Sequence, residues 1–502
     1  MLNWLNRYSY RVLAVLIAGY VLVFGVLSCQ KLAYFRQGFD MAGNEQTIWN
    51  TLHGRPFQIS VFAMMRYDFD DGPVFLQIPL ALLYGMYQSP YTLLILQTLA
   101  LGLAAIPLFF IVRSILPQAW QALAVAAIYL LHPTTQHINM YEFQLRSFMI
   151  PFALSALLFL RREKVLLYTS FLLLMLFTKT EAGFTLVAFG IYALILRKRW
   201  YYAAIPLILG PIWVGVALGV IVPAYSEGDF ITKIYSYGKL GASVGDVIKT
   251  MLTNPALAFQ VMTEPPKVKY VLQLFGLGGF LALFSPTVIL ALPVLALNLI
   301  SPNAVQFSLN YQYGALVYPF LIVASVEGLI NLARWLGFRT KSKEQRADEE
   351  HRTKNIEHKA SDAHFASRIT SVGIVALFVM MLVGSLTLNN AIKTALSNRE
   401  PAQRVADARA IVAAVPPDAS VAASTFLAPH LAQRREIYFF PGNNSYPAEY
   451  VDRAEYLVFD RRPPANNDKL REAIKRYLND PNWQIVQEHG DFILLKQTKV
   501  TP

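Results

Sequence analysis

Residues 89–116 read SPYTLLILQTLALGLAAIPLFFIVRSIL, and Arg113 is their only charged side chain. A helix needs roughly 20 consecutive apolar residues to cross a hydrocarbon core, so the segment near 91–112 is long enough to span. Similar blocks recur near 12–30, 119–135, 147–160, 165–178, 181–196, 200–223, 270–284, 286–300, 315–333 and 369–389. They predict a polytopic α-helical membrane protein with about eleven transmembrane helices, several of them short. Composition agrees. The 502 residues are 55% hydrophobic and 15% charged, with a mean hydropathy of +0.38. Soluble domains carry about a quarter of their residues as charges.

The net charge of +12 is distributed as short basic runs between apolar blocks: RREK at 161–164, RKR at 197–199 and RWLGFRTKSK at 334–343. Such runs mark loops held on the cytoplasmic side, not a nucleic-acid interface. With Arg7 and Arg11 inside, the first helix exits, residues 31–89 form a long first outer loop, and all the basic runs return to the same side. The parity holds only if VFLQIPLALLYGMY (74–87) does not span. At 14 residues it reads instead as a helix lying on the outer surface. The transmembrane domain is therefore 1–389, with a charge-dense cytoplasmic linker at 334–368 that reads as disordered or loosely helical.

Residues 390–502 then lie outside and have soluble composition. AQRVADARAIVAAV (402–415) and DKLREAIKRYL (468–478) read as helices, and SVAAS, EIYFF, EYLVF and FILLK as strands, giving a small C-terminal extracytoplasmic α/β domain. Cys29 is the only cysteine, so no intrachain disulfide forms. Its context, VLSC, loosely matches a lipoprotein cleavage site, but Leu27 fits poorly and a signal anchor is the better reading.

Polar residues gather at the outer ends of the helices. The first outer loop carries Asp40, Glu45, His53, Arg55, Arg66, Asp68, Asp70 and Asp71, and the next carries His132, His137, Glu142 and Arg146. TKTEAG adds Lys179 and Glu181, and NYQYG adds Tyr311 and Tyr313. Any one of these is explained by contact with water. As a set they are harder to dismiss, because YEFQLRS and TKTEAG are short links where neutral turn residues would cost less desolvation. Such a face suits an anionic, lipid-anchored substrate. Arg66, Arg146 and Lys179 would hold a phosphate, and Asp40 would act as general base towards a hydroxyl. Glu142, Glu181, Tyr311 and Tyr313 would line the substrate site. Asp68-x-Asp70 reads either as ligands for a divalent metal (Mg or Mn) or as a solvated acidic turn before Gly72-Pro73. There is no phosphate loop, dinucleotide fingerprint, zinc helix or nucleophile elbow.

The segments GFDMAGNEQTIWNTLHGRPF (38–57), SPYTLLILQTLALGLAAIPLFFIVRSIL (89–116), YEFQLRSFMIPF (141–152) and LFTKTEAGF (176–184) stand in an order that resembles a bacterial and archaeal family. It is known as domain of unknown function 2079 (DUF2079). NYQYGALVYPFLIVA (310–324) and APHLAQRREIYFFP (428–441) extend the likeness over most of the chain. That family is in turn similar to the GT-C integral-membrane glycosyltransferases, inverting enzymes that take sugars from polyprenyl-phosphate donors at the outer face of the membrane. The resemblance implies a plasma-membrane location in a prokaryote, with Asp40 at the position of the first-loop catalytic carboxylate. The YEFQ and TKTE loops would line the same cavity. The chain departs from the family where histidines give way to Asp70-Asp71-Gly72 and to Gln144-Leu145-Arg146, and again near Tyr311–Tyr313. That points to an altered metal or phosphate site, another substrate, or lost catalysis. Alternative readings are a flippase or transporter of lipid-linked sugars, and a non-catalytic subunit that docks a partner through its outer domain.

Overall fold

The structure is a computed structural model and describes residues 2–61, 66–69, 72–225, 237–241, 244–344, 355–388, 391–397, 399–440, 448–462 and 468–498. The first long helix, α1 (Ser9–Ala33), has 25 residues and ends where Phe35 takes a left-handed backbone conformation, φ 55°. At 1.5 Å per residue it is about 37 Å long, enough for a hydrocarbon core. It leads into α2 (Phe39–Leu52), then a two-strand hairpin of β1 (Gln58–Ile59) and β2 (Arg66–Tyr67), then a short surface helix, α3 (Gln77–Tyr84). Four helices among the described residues are long and apolar enough to cross a membrane: Ser9–Ala33, Pro90–Ile115, Trp200–Tyr225 and Thr370–Leu388. Shorter apolar helices pack among them.

Several predicted spans are broken where the backbone dictates it. The expected 119–135 helix ends at Leu131, and a separate helix, α4 (Pro133–Tyr141), follows. His132 lies outside the helical region at ψ 131°, as a residue before proline prefers. The expected 270–284 helix is instead Pro265–Gly276, then a 3₁₀ turn over Leu281–Phe284. Gly279 and Phe280, at φ 60° and 58°, stop it between. The expected 286–300 span starts as a 3₁₀ turn over Pro286–Ala291 and becomes α-helical only at Leu292. The stretch expected to be loose, 334–368, is helical at both ends, in Tyr318–Glu344 and in Asn355–Leu388.

The two ends of the bundle differ in chemistry. At one end Asn6 donates to Gln118 at 2.7 Å, Arg113 donates to the carbonyls of Leu116 and Pro117, and Lys198 pairs with Glu163 at 2.6 Å. The amino terminus, Arg113, RREK and RKR thus share a face. At the other end lie α2, α3 and a five-stranded sheet in the order β4-β3-β5-β7-β6. Its strands are β3 (Val421–Ser424), β4 (Ile437–Phe440), β5 (Tyr456–Asp460), β6 (Trp483–His489) and β7 (Phe492–Gln497). β3 is parallel to β4 and β5, whereas β7 runs antiparallel to both β5 and β6. β6 is the strand that the sequence pattern missed. Its residues are largely exposed, as suits an edge strand without a clean alternation.

The sheet is tied to the first outer loop by buried polar contacts. Ser60 Oγ donates to the Ile437 carbonyl and accepts from its N–H, both at 2.9 Å. Gln46 donates to Ser60 Oγ and to the Arg435 carbonyl, both at 2.8 Å. His430 stacks on Phe35, and Phe39 meets Phe439 edge-on. So the stretch 428–440 docks the sheet.

Among the described residues the bundle also holds a part-buried ion pair. Arg161 meets Glu327 at 2.6 Å and donates to Tyr192 and Thr287, while Ser285 and Thr287 donate to the other Glu327 oxygen. Removing one partner of such a pair leaves a charge uncompensated, which costs about 3–5 kcal/mol. Glu327→Ala is therefore expected to lower stability by about that amount in detergent unfolding, whereas replacing the pair together, as Arg161→Met with Glu327→Leu, restores most of it.

A buried carboxylate cluster at the outer end

The site begins with the start of α2. Gly38 is its N-cap and has no side chain to satisfy the exposed amides of the first turn. The acceptor comes from another loop: Glu142 Oε2 accepts the Met41 N–H at 2.9 Å, and the Asp40 amide also hydrogen-bonds the Glu142 carboxylate. Glu142 directly follows α4, and the chain from 142 to 147 is pinned from behind by Gln97. That amide donates to the Glu142 carbonyl at 3.0 Å and accepts from the Gln144 N–H and the Ser147 hydroxyl. Lys31, on the last turn of α1, donates to the carbonyls of Met140 (3.0 Å) and Tyr141.

Asp40 faces into this corner. Its Oδ2 accepts from the Gln144 amide at 2.8 Å, and Tyr141 also hydrogen-bonds it. Burial pushes its carboxyl above the usual carboxylate range, opposed by those two donors and by the positive charges of Arg146 and Lys179. Burial and the negative charge of Asp40 push Glu142 up to about 7, opposed by Lys31 and the two amides. Arg146 forms a two-point pair with Glu181, and its guanidinium lies 5.0 Å from the centre of the Tyr313 ring. Tyr311 packs edge-on to Tyr141 at 5.1 Å. Asp40, Glu142, Arg146, Lys179, Glu181, Tyr311 and Tyr313, from four loops, are thus gathered in one place.

The remaining candidates come later in the first long loop. Arg66 lies on β2. Asp68 accepts from Gln77 of α3 at 2.9 Å. Asp70 and Asp71 lie outside the described residues. Gly72, the next described residue, meets the Lys179 loop: it sits at φ 105°, and a Cβ there would be 1.6 Å from Thr180 Oγ1. The proposed Asp68-x-Asp70 metal pair has one described member, and that one already accepts a hydrogen bond. Among the described residues no three His, Cys, Asp or Glu side chains are grouped to hold a metal ion. His132 and His137 do not join the cluster. His132 is buried, caps α4 through Thr134 and stacks on Tyr318. Sequence reading passed over Lys31, Tyr141, Gln144 and Gln97 as site residues. The first looks like an ordinary charge at a helix end, and the others gain meaning only from the fold.

The fold is that of a polytopic helical membrane protein, a bundle with a helix in its first long loop and a small C-terminal sheet domain, GT-C-like in architecture. The chain belongs to the family described as Predicted membrane protein (DUF2079), whose model matches residues 31–494. Among solved structures it is similar to the GT-C glycosyltransferase ArnT from Cupriavidus metallidurans bound to undecaprenyl phosphate, at 12% identity and a TM-score of 0.52, covering 96% of this chain and 97% of that one. It also matches the oligosaccharyltransferase AglB from Archaeoglobus fulgidus, in complex with an inhibitory peptide and a dolichol-phosphate, at 14% identity and a TM-score of 0.41, covering 99% of this chain and 75% of that one. No curated protein matches the chain.

A second buried carboxyl lies deeper on α2. Glu45 is fully buried, accepts from Tyr84 at 2.8 Å and from Gln433 of the sheet domain at 3.1 Å, and is pushed up to about 8, chiefly by burial. A carboxyl raised in the folded state stabilises fully below its unfolded value of 4.5. That contribution fades as pH rises from there towards about 8, because only the unfolded chain ionises in that window. Thermal unfolding across pH 5–9 is expected to show the wild type losing roughly 2–4 kcal/mol relative to Glu45→Gln.

Proposed function

We propose that the protein is an inverting glycosyltransferase that takes a sugar from a polyprenyl-phosphate donor at the outer face of a prokaryotic plasma membrane. The observation that carries this reading is the Asp40 carboxylate, held by Gln144 with Arg146 and Lys179 beside it. The ArnT structure bound to undecaprenyl phosphate supports a lipid-phosphate donor for this fold. The basic runs gathered at the opposite end support a cytoplasmic amino terminus, an extracytoplasmic site and an extracytoplasmic 390–502 domain.

In the mechanism, an acceptor hydroxyl gives its proton to Asp40 as its oxygen bonds to the sugar C1. The C1–O bond to the phosphate breaks from the opposite side, inverting the anomeric centre. The phosphate leaves with the bonding electrons, and Arg146 and Lys179 stabilise its charge. Glu181 orients Arg146, and Tyr313 stacks beneath it. A carboxyl raised by burial is a stronger base than a solvated one, which suits the first step. Arg66 and the Asp68–Asp71 turn would extend the phosphate side. A divalent ion at Asp68 and Asp70 would lend positive charge there. The sheet domain, whose Thr425 and Phe439 reach the start of α2, would cover the acceptor side.

The test is transfer from a panel of radiolabelled polyprenyl-phosphate sugars in membranes. Asp40→Asn is expected to reduce transfer by about 10²–10⁴-fold at equal protein level. Transfer that survives the substitution removes Asp40 from the base role. Transport of lipid-linked sugar without transfer favours the flippase reading.

A further inference from the structure

Lys31 and Glu142 take no part in that chemistry, yet both are half-buried beside Asp40. Two helix ends of opposite polarity converge there: the amino end of α2, with positive unpaired N–H groups, and the carboxyl end of α4, with negative unpaired carbonyls. Glu142 serves the first and Lys31 the second. Gly38 leaves room for this, since a Cβ there would lie 2.6 Å from Glu142 Oε1. We infer that Glu142 is a positioning residue for Asp40, a carboxylate cap supplied from the second outer loop whose counter-charge is Lys31, so that the pair fixes where Asp40 stands relative to Arg146 and Lys179.

The alternative for Glu142, a direct contact to substrate, would leave the first-turn amides of α2 without an acceptor in a buried place. Its carboxylate already accepts from Met41 through Oε2 and from the Asp40 amide, and it faces the Lys31 charge. The charged and titratable groups around the pair are few. Asp40 is faced by Tyr141, Arg146, Lys179 and Glu142, and Glu142 by Lys31 and Asp40. Beyond them stand Tyr311, Tyr313 and Glu181. Removing the Glu142 charge therefore makes Asp40 easier to ionise. Removing the Lys31 charge leaves the two acids to repel each other and makes both harder to ionise.

The positioning role rests on Asp40 being the base, so the experiment has two independent readouts on the full-length protein in detergent. The first is amide hydrogen exchange at residues 40 and 41, which needs no substrate. Glu142→Ala is expected to speed it about tenfold, as loss of a cap does, and Glu142→Gln, which keeps an acceptor oxygen, to leave it near wild type. The second is sugar transfer. Glu142→Ala is expected to lower kcat about 10²-fold with little change in KM, the cost of a misplaced catalytic group. Glu142→Gln is expected to keep most of kcat while shifting the acid limb of the rate to lower pH, and Lys31→Met to shift it to higher pH. Unchanged exchange in Glu142→Ala overturns the cap, and faster exchange with unchanged kcat overturns the positioning role. A large rise in KM in Glu142→Gln would assign the residue to substrate instead. Absence of transfer in the wild type defeats the transferase reading, and the exchange result still decides whether Glu142 holds the start of α2.

Discussion

Everything at the outer end depends on α2 beginning where it does, and α2 begins on a hydrogen bond it does not supply. A helix whose N-cap is glycine exposes first-turn amides. Beside packed helices and a docked sheet, a side chain from another loop can satisfy them. Glu142 does so from about a hundred residues away in sequence, and it can because Gln97 fixes the backbone on either side of it. The same helix carries Asp40 on its first turn, Glu45 on its second and Gln46 beside it. One cap thus sets the register of the carboxylate cluster, the Glu45–Tyr84–Gln433 contact and the Ser60–Ile437 clamp on the sheet.

The two ends of the bundle solve the problem of buried charge differently. Inside the bundle, Arg161 and Glu327 are matched one to one and surrounded by hydroxyls, which leaves both carboxylate oxygens satisfied. Such a pair joins helices without inviting a ligand. At the outer end the matching is looser. Arg146 is paired with Glu181, but Asp40 is held by neutral donors and only approached by cations. A carboxylate whose partners are neutral keeps its basicity, whereas one locked to arginine loses it. That difference separates a structural charge from one fit for proton transfer.

The membrane class was legible from apolar block lengths, and the sharing of one face by the basic runs was legible from parity, because both follow from local composition. Helix breaks were less so. His132-Pro133 could be read as a boundary, but the stop at Gly279-Phe280 depends on backbone angles that a hydrophobic stretch conceals. The gathering of Asp40, Glu142, Arg146, Lys179, Glu181, Tyr311 and Tyr313 followed from their shared position at helix ends. What each does there did not follow. Glu142 and Lys31 look like loop polarity in the sequence, and only the meeting of two helix termini gives them partners. Gln97 sits inside an apolar stretch, where a lone amide reads as noise until the loop it holds is placed.

The segment that follows the acidic run is held by the Lys179 loop. Gly72 is pressed against Thr180, and the Leu76 N–H donates to the Phe177 carbonyl at 2.8 Å, so residues 72–76 are anchored on the loop that carries Lys179 and Glu181. Lys179 in turn bears on Asp40, so what holds that loop also places a positive charge near the base. Gln144 supplies an amide donor to Asp40 that does not titrate. The pH response of the cluster thus rests on its carboxyls and on the cations that face them.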